Sequence, residues 1–463
     1  MSSWLPHRFF RPRGWAMLGA GLLMLLFAQT LGRRDLMTVG IFLMLLPLLA
    51  GAGLRLLRPG FTLQRTFSPE VVEAGATATV GLIVSGSRAG GGRVEMRERL
   101  PARFGAPPSF MYPSRGTTGG TSRYEYHLVC AQRGQFRIGG ASAEFSDPFV
   151  LTRLRQDVDA GQLLTVSPAA VPLPPTSLTG GRGVDGMKAT RQRANPSNDD
   201  VMTRQYRHGD PLRRVHWPAT ARHGELMVRQ EESVTTPEAT LLLDQRAAAF
   251  TGGLSGVFGT GHEGAHPELA TSEAFEWAVV AAMSISAHFL EHSYSVRVLD
   301  LFAQPGFLHS RSAPSRHEEL FDGSAGLATI AASLAAVELS TPRAAAGRAA
   351  ALPGDALVDK LATTSRRGPV VALLGQLGPA EAAALAPVAG HGEGAFAILV
   401  CEHPERQKPA LEVLRRAGWH ATAVPPKAPL AQVWAGLDEF QPLARGDGAE
   451  VHRGSAAASG ALP

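Results

Sequence analysis

The sequence predicts three structural regions in succession: a membrane-spanning helical hairpin, an antiparallel β-sandwich and a doubly wound α/β domain. Three observations predict this order. Two uncharged apolar runs stand near the N-terminus, short alternating runs broken by Gly and Pro follow, and apolar strands then alternate with helix-period segments. At 463 residues the chain is also too long for a single hydrophobic core. The expected boundaries are 1–60 for the hairpin, 61–172 for the sandwich, 173–238 for an arginine-rich segment, 239–443 for the α/β domain and 444–463 for a disordered tail rich in Gly, Ala and Ser.

The apolar runs cover Trp15 to Leu31 and Leu36 to Leu54. Each is near the ~20 residues that cross ~30 Å of hydrocarbon. The connector Gly32-Arg33-Arg34-Asp35 is so short that the two helices must run antiparallel, and Pro47 predicts a kink in the second. A cleaved signal peptide fits less well, because no small-residue cleavage site follows Leu31 and a second apolar run begins at once. Arg8, Arg11 and Arg13 precede the first run and Arg55, Arg58 and Arg65 follow the second, against Arg33 and Arg34 between them. By the positive-inside rule both outer ends, and with them the bulk of the chain, are expected in the cytoplasm.

From Phe61 to about Pro172 the segments TATVGLIVS, RVEMRERL, SRYEYHLVC, GQFRIGG and GQLLTVSP alternate as half-buried strands do. Glycine-rich and proline-marked stretches connect them, and Asp147-Pro148-Phe149 reads as a turn. Acids and histidines are scattered in this region without a catalytic pairing. A binding or positioning module is the expectation.

The C-terminal half opens on ATLLLD, Ala239 to Asp244, a run suited to a buried parallel strand. A helix-period segment from Thr271 to His292, the strand YSVRVLDLF, the helix SAGLATIAASLAAVEL, the strands GPVVALLG and GAFAILVC separated by an Ala-rich helix starting near Pro379, and a helix–strand–helix ending at Phe440 complete the alternation. In such sheets ligands bind beyond the carboxyl ends of the strands, which points to Asp244. A von Willebrand A-type domain places a metal there with the pattern Asp-x-Ser-x-Ser, whose oxygens suit a hard cation. This chain reads DQRAAAF, with Arg246 and Ala248 at the serine positions. The site at Asp244 is degenerate: no bound metal and no cofactor is expected, and the carboxylate is expected to pair with backbone amides or an arginine.

Composition narrows the classes further. The net charge of +5 is modest for this length, so charge alone does not argue for nucleic acid. Cys130 and Cys401 are the only two cysteines and fall in different predicted domains, which argues against a disulfide framework and fits a reducing compartment.

The densest chemistry lies in RQYRHGDPLRRVHWPATARHGELMVRQEE, Arg204 to Glu232. Gly209-Asp210-Pro211 reads as a turn, and Trp217 before Pro218 predicts an extended segment. His208, His216 and His223 match no short zinc spacing, and no nucleophile has an evident base. The stretch resembles the signature of the bacterial domain of unknown function 58, through Arg204, Tyr206, Gly209, Asp210, Arg213 or Arg214, Trp217, Ala221, Arg222, Gly224, Leu226 and Arg229. His216 stands where that family usually has Asp, and Pro218 where Lys is common. The resemblance implies a membrane-tethered, von Willebrand A-like protein without established enzymatic activity. Such proteins are often encoded beside MoxR-type AAA ATPases and transglutaminase-like proteins, and the implied role is an adaptor in ATPase-driven assembly or maturation.

Two uses of the arginines remain open at this stage. They form an internal lattice with Asp210 and Glu225 that clamps the domains, or they form a docking surface for an acidic partner. A split is expected, with Asp210 and Trp217 as structural pins and a subset of the arginines as the contact. The expectation is a membrane-anchored, non-enzymatic interaction protein. A metal-dependent adhesion or hydrolytic module is the first alternative. A nucleic-acid binder is the second, disfavoured because Tyr206 and Trp217 are too few for a stacking platform.

Overall fold

The structure is a computed structural model that describes residues 9–56, 60–86, 94–112, 121–147, 149–176, 203–207, 212, 215–229, 236–250, 269–340, 354–363 and 368–439. The chain divides into two units. Residues 1–170, 253–272 and 305–341 form the first, and residues 171–252, 273–304 and 342–463 the second.

The first unit begins with two helices long and apolar enough to cross a membrane, α1 (Pro12–Leu31) and α2 (Arg34–Leu56). The connector is tighter than the sequence predicts. Only Gly32 and Arg33 separate the helices, because Gly32 takes the left-handed conformation (φ 63°) that closes α1. The helices approach closely at two glycines: a Cβ on Gly21 would lie 3.0 Å from the Gly40 carbonyl. Pro47 lies within α2, where it is buried. Leu22, Leu23, Leu26, Phe27, Phe42 and Leu49 point outward and are exposed, as lipid-facing side chains would be.

Beyond the hairpin, the alternating runs form β1 (Phe61–Ser68), β2 (Val71–Glu73), β3 (Thr77–Gly86), β4 (Val94–Arg97), β5 (Ser109–Tyr112), β6 (Thr121–Val129), β7 (Gly134–Ile138), β8 (Ser142–Ser146), β9 (Arg153–Asp157) and β10 (Gln162–Ser167). They assemble into three sheets, ordered β1-β3-β6, β2-β10-β7 and β5-β4-β8-β9. The alternation on β3 buries Ala78, Val80, Leu82 and Val84, and this row is the seam of the core. One pairing departs from the antiparallel expectation: β2 runs parallel to β10. The two are far apart in sequence, so no hairpin dictates their relative direction.

A buried polar network ties these sheets together. The Arg65 guanidinium of β1 donates to Glu98 just past β4 (2.5 Å) and to Asp159 just before β10 (2.9 Å). Glu98 also accepts the Tyr126 hydroxyl of β6, and Asp159 accepts the backbone amides of Ala141 and Gly161. Gly139 makes the arrangement possible. Its φ is 97°, and a Cβ there would lie 2.1 Å from an Arg65 nitrogen. Burial alone pushes the Arg65 pKa down, but the two carboxylates more than offset it and the value is raised.

Residues 305–341 group with this first unit rather than with the rest of 239–443. They carry β15 (Leu320–Phe321) and α5 (Gly323–Ala335), and α5 packs on β10. The buried Arg133 of the RGQFRIGG run donates to the carbonyls of Leu334 (2.6 Å) and Val337 (2.8 Å) at the C-terminal end of α5. A cation there satisfies carbonyls that the helix itself leaves open.

The second unit contains β11 (Thr203–Gln205), α3 (Trp217–His223), β12 (Met227–Arg229), β13 (Glu238–Leu243), α4 (Glu273–Glu291), β14 (Ser295–Leu299), α6 (Asp355–Ala362), β16 (Pro369–Leu374), α7 (Pro379–Leu385), β17 (Gly394–Val400), α8 (Lys408–Arg416), β18 (Trp419–Val424) and α9 (Leu430–Glu439). Helix α6 had no counterpart in the sequence reading. Five strands run parallel in the order β14-β13-β16-β17-β18. Every residue of β13 and of β16 is buried, as expected for central parallel strands. The chain direction across the sheet reverses beside β13, so β13 and β16 flank the switch point where open parallel sheets bind ligands.

The Arg65 network yields the first test. Arg65→Met should leave Glu98 buried and unpaired, and breaking such a pair costs ~3–5 kcal/mol. Thermal melting of the detergent-solubilised chain should register the loss. Adding Glu98→Gln should recover part of it, and a melting temperature unchanged by Arg65→Met would contradict this assignment.

Candidate functional site

Two neighbouring features of the second unit hold the residues singled out by sequence: the arginine-rich segment and the end of β13. In the first, β11 pairs antiparallel with β12, and the Tyr206 amide extends the pairing by donating to the Leu226 carbonyl (2.8 Å). Between them sits α3. Its N-cap is His216, whose Nδ1 accepts the Ala219 amide at 3.2 Å. Asp, the usual family residue at this position, is itself among the best N-cap residues, and the imidazole nitrogen takes over that acceptor role.

Trp217 and Pro218 form the first turn of this helix rather than an extended segment. Proline is accepted there because the first amides of a helix lack intrahelical partners in any case. Thr220 Oγ1 then accepts the Met227 amide (3.0 Å), which ties α3 to β12. Gly224 closes the helix with φ 73°, its amide donating to the Thr220 carbonyl (2.9 Å). The requirement for glycine at position 224 is therefore conformational.

Most members of the expected lattice lie outside the described residues. Among the described residues, Glu225 bonds Gln205, not an arginine. Arg222 is exposed and makes no ion pair among the described residues. Trp217 is 67 % exposed, and Leu212 (67 %) and Leu226 (41 %) are exposed on the same small module. Trp217 is thus a surface residue and not a structural pin. Tyr206 is half-buried, and Val215 and Val228 are the buried contacts that hold the module. Gly209, Asp210, Arg213 and Arg214 lie outside the described residues, as do the side chains of Arg204 and Arg229.

At the end of β13 the Asp244 side chain is fully buried. Its Oδ1 accepts the Arg246 amide (3.0 Å) and the Arg246 Nε (2.9 Å). Its Oδ2 accepts Arg246 Nη2 (2.9 Å) and, more weakly, the Gly375 amide (3.4 Å). The third guanidinium nitrogen reaches Glu381, which also caps the start of α7 by accepting the Gly378 amide (2.9 Å). Burial by itself lowers the Arg246 pKa, but hydrogen bonds and charge from Asp244 and Glu381 raise it further than burial lowers it. A fixed positive charge therefore occupies the space a hard cation would need, and both Asp244 oxygens are already committed.

Gly375 allows this loop to close. A Cβ there would lie 2.4 Å from the Ala249 carbonyl, and the Gln376 amide donates to that same carbonyl (2.7 Å). Beside it is a shallow recess lined by Phe250, Glu273, Gln376, Cys401, Glu402 and Pro426. Burial pushes the thiols of Cys401 and Cys130 up, so neither is poised as a thiolate nucleophile. Among the described residues, no group of three or more His, Cys, Asp or Glu side chains could hold a metal ion.

Sequence reasoning found Asp244 and its substituted partner position but missed Glu381. The signal was present in Gly-Pro-Ala-Glu, Gly378 to Glu381, a helix start whose third residue reaches back to the cap. Residues 202–259, which span both features, match the family model described as Protein of unknown function DUF58. No curated protein matches the chain.

The ion-pair reading predicts two outcomes. Millimolar magnesium or manganese should leave the melting temperature unchanged, whereas a ligand at ~100 times its dissociation constant would add ~2.7 kcal/mol. Arg246→Ala should destabilise the protein by ~3–5 kcal/mol by stranding Asp244 in the core. A saturable, metal-dependent rise in the unmodified protein would overturn the assignment.

Proposed function

We propose that this chain, which carries the DUF58 signature and belongs to that family, is a membrane-anchored, non-enzymatic interaction protein whose signature module is its partner-docking surface. The observation that carries the reading is the exposure of Trp217, with Leu212 and Leu226, on a module whose backbone is tightly capped. Large apolar side chains held outward on a fixed scaffold suit a protein–protein contact, where tryptophan and arginine dominate binding energy. Arg222 on the same helix adds positive charge, which favours an acidic partner.

The strand order and the position of Asp244 support a von Willebrand A-like reading of the second unit, with the metal function replaced by Arg246. The alternating strands support a sandwich-like reading of the first unit. Two apolar helices support the anchor, and the arginines around them support a cytoplasmic location for the bulk of the chain. A MoxR-type AAA ATPase is the proposed partner, with a transglutaminase-like membrane protein as a second component. The work of the complex is assembly or maturation of other proteins. A metal-dependent module fits poorly with a guanidinium in the cation's place.

Trp217→Ala and Arg222→Ala should leave stability within ~0.5 kcal/mol, since both residues are exposed. The same variants should lose co-purification with a MoxR-type ATPase from the same cells. Retained capture with both changes would sink the docking assignment, and a large drop in melting temperature would return these residues to a structural role.

A further inference from the structure

The turn closed by Asp147 and Thr152 lies outside the signature, and its Pro148 lies outside the described residues. The buried Asp147 carboxylate accepts the amides of Phe149 (2.8 Å), Leu151 (2.9 Å) and Thr152 (2.5 Å), together with the Thr152 hydroxyl (2.8 Å). These bonds fix a loop in which Val150 takes a left-handed φ of 59°. The loop is fastened to the hairpin. The Arg11 amide donates to the Leu151 carbonyl (2.8 Å), Phe10 forms a β-bridge with Thr152, and the Arg11 guanidinium reaches Glu144 (3.0 Å) and Ser146 (3.1 Å) of β8.

Two glycines show how far along the helices the loop reaches. A Cβ on Gly14 would lie 2.4 Å from the Leu151 carbonyl, and one on Gly51 would lie 3.6 Å from the Thr152 methyl. Gly14 immediately precedes the first apolar run, and Gly51 lies inside the second, three residues before its end at Leu54. At 1.5 Å per residue, the loop overlaps the outermost turn of the apolar spans. Phe149 projects from this fixed loop and is 59 % exposed. Around the same helix ends are the aromatic cluster Phe9, Phe10 and Trp15, and the Arg55 guanidinium over the Phe9 ring at 4.7 Å. Arg13, in the first turn of α1, is exposed.

We propose that the Asp147–Thr152 turn is a third, non-spanning membrane contact, seating Phe149 at the headgroup level of a bilayer that carries anionic lipid. The proposal rests on the reading of α1 and α2 as membrane-spanning. Aromatic side chains favour the boundary between hydrocarbon and water, and juxtamembrane arginines favour anionic headgroups. The surface is continuous with the spans, and its charge is complementary to that lipid. It holds the first unit at the bilayer through a built loop, in addition to the covalent link.

The test uses the full chain in nanodiscs of phosphatidylcholine and phosphatidylglycerol. Single cysteines at three exposed positions, Leu22→Cys, Phe149→Cys and Val129→Cys, carry an environment-sensitive fluorophore, and the native Cys130 and Cys401 are buried. Lipids spin-labelled near the headgroup end of the acyl chain, or deep within it, act as quenchers. Val129 is the distal control. It pairs with Thr77 at one end of β3, and the hairpin-side Leu54 packs in the cluster with Val84 near the other end. The proposal expects loss of emission at position 149 with the shallow quencher, loss at 22 with the deep one, and none at 129. Quenching at 22 with 149 as bright as 129 overturns the proposal and leaves the spanning reading intact. Equal quenching at 149 and 129 overturns it as well. No quenching at 22 removes the spanning reading and the proposal together.

Discussion

A guanidinium withdrawn from water must find carboxylates, and at Arg65 it finds two from separate parts of the chain. Glu98 and Asp159 converge on it, Tyr126 closes the far side of Glu98, and Gly139 leaves the space. The apolar rows of β3, β7 and β10 bring these sheets together without fixing how they slide, because hydrophobic contact is non-directional. The ion cluster adds direction. Once β1, β4, β6 and the start of β10 are fixed, the β8–β9 edge is fixed with them, and that edge receives the apolar helical hairpin through Arg11 and Glu144. Asp159 reflects the same cluster: burial alone would raise its pKa, yet Arg65 and two backbone amides lower it.

Arginine has two distinct roles along the chain. Arg65, Arg133 and Arg246 are paired or bonded to carbonyls away from solvent, and each connects segments remote in sequence. Arg222 stands in solvent on a short capped helix. Composition cannot separate these roles, because both place arginine among Gly, Ala and polar residues. The sequence alone therefore leaves clamp and docking surface both open for the signature stretch. Among the described residues, buried arginine contacts lie in RGQFRIGG, at Arg133, and in DQR, at Arg246, where burial depends on tertiary contacts.

The features most legible in the sequence had a strong period or a forced geometry. Continuous apolar runs gave the hairpin, and the six-residue buried strand gave β13 and its terminal Asp244. The replacement of serine by Arg246 pointed correctly to a carboxylate tied to an arginine. Less legible were features set by distant partners. The parallel pairing of β2 with β10 has no local signal. Trp217-Pro218 followed the general preference of a pre-proline residue for extended backbone, but the His216 cap and Gly224 close a helix around it. Nothing local signals that α5 packs on β10 or that Arg133 reaches the end of that helix.

Buried polar contacts hold the fold, and the exposed Trp217 face is the proposed partner surface. Site-specific photocrosslinking in native membranes tests that claim most directly, with a photoreactive residue at position 217 and a control at the exposed Glu412 of α8. The account predicts a discrete adduct at 217, identified by mass spectrometry as the MoxR-type ATPase, and none at 412. Absence of any adduct at 217, or the same adducts at both positions, would contradict it.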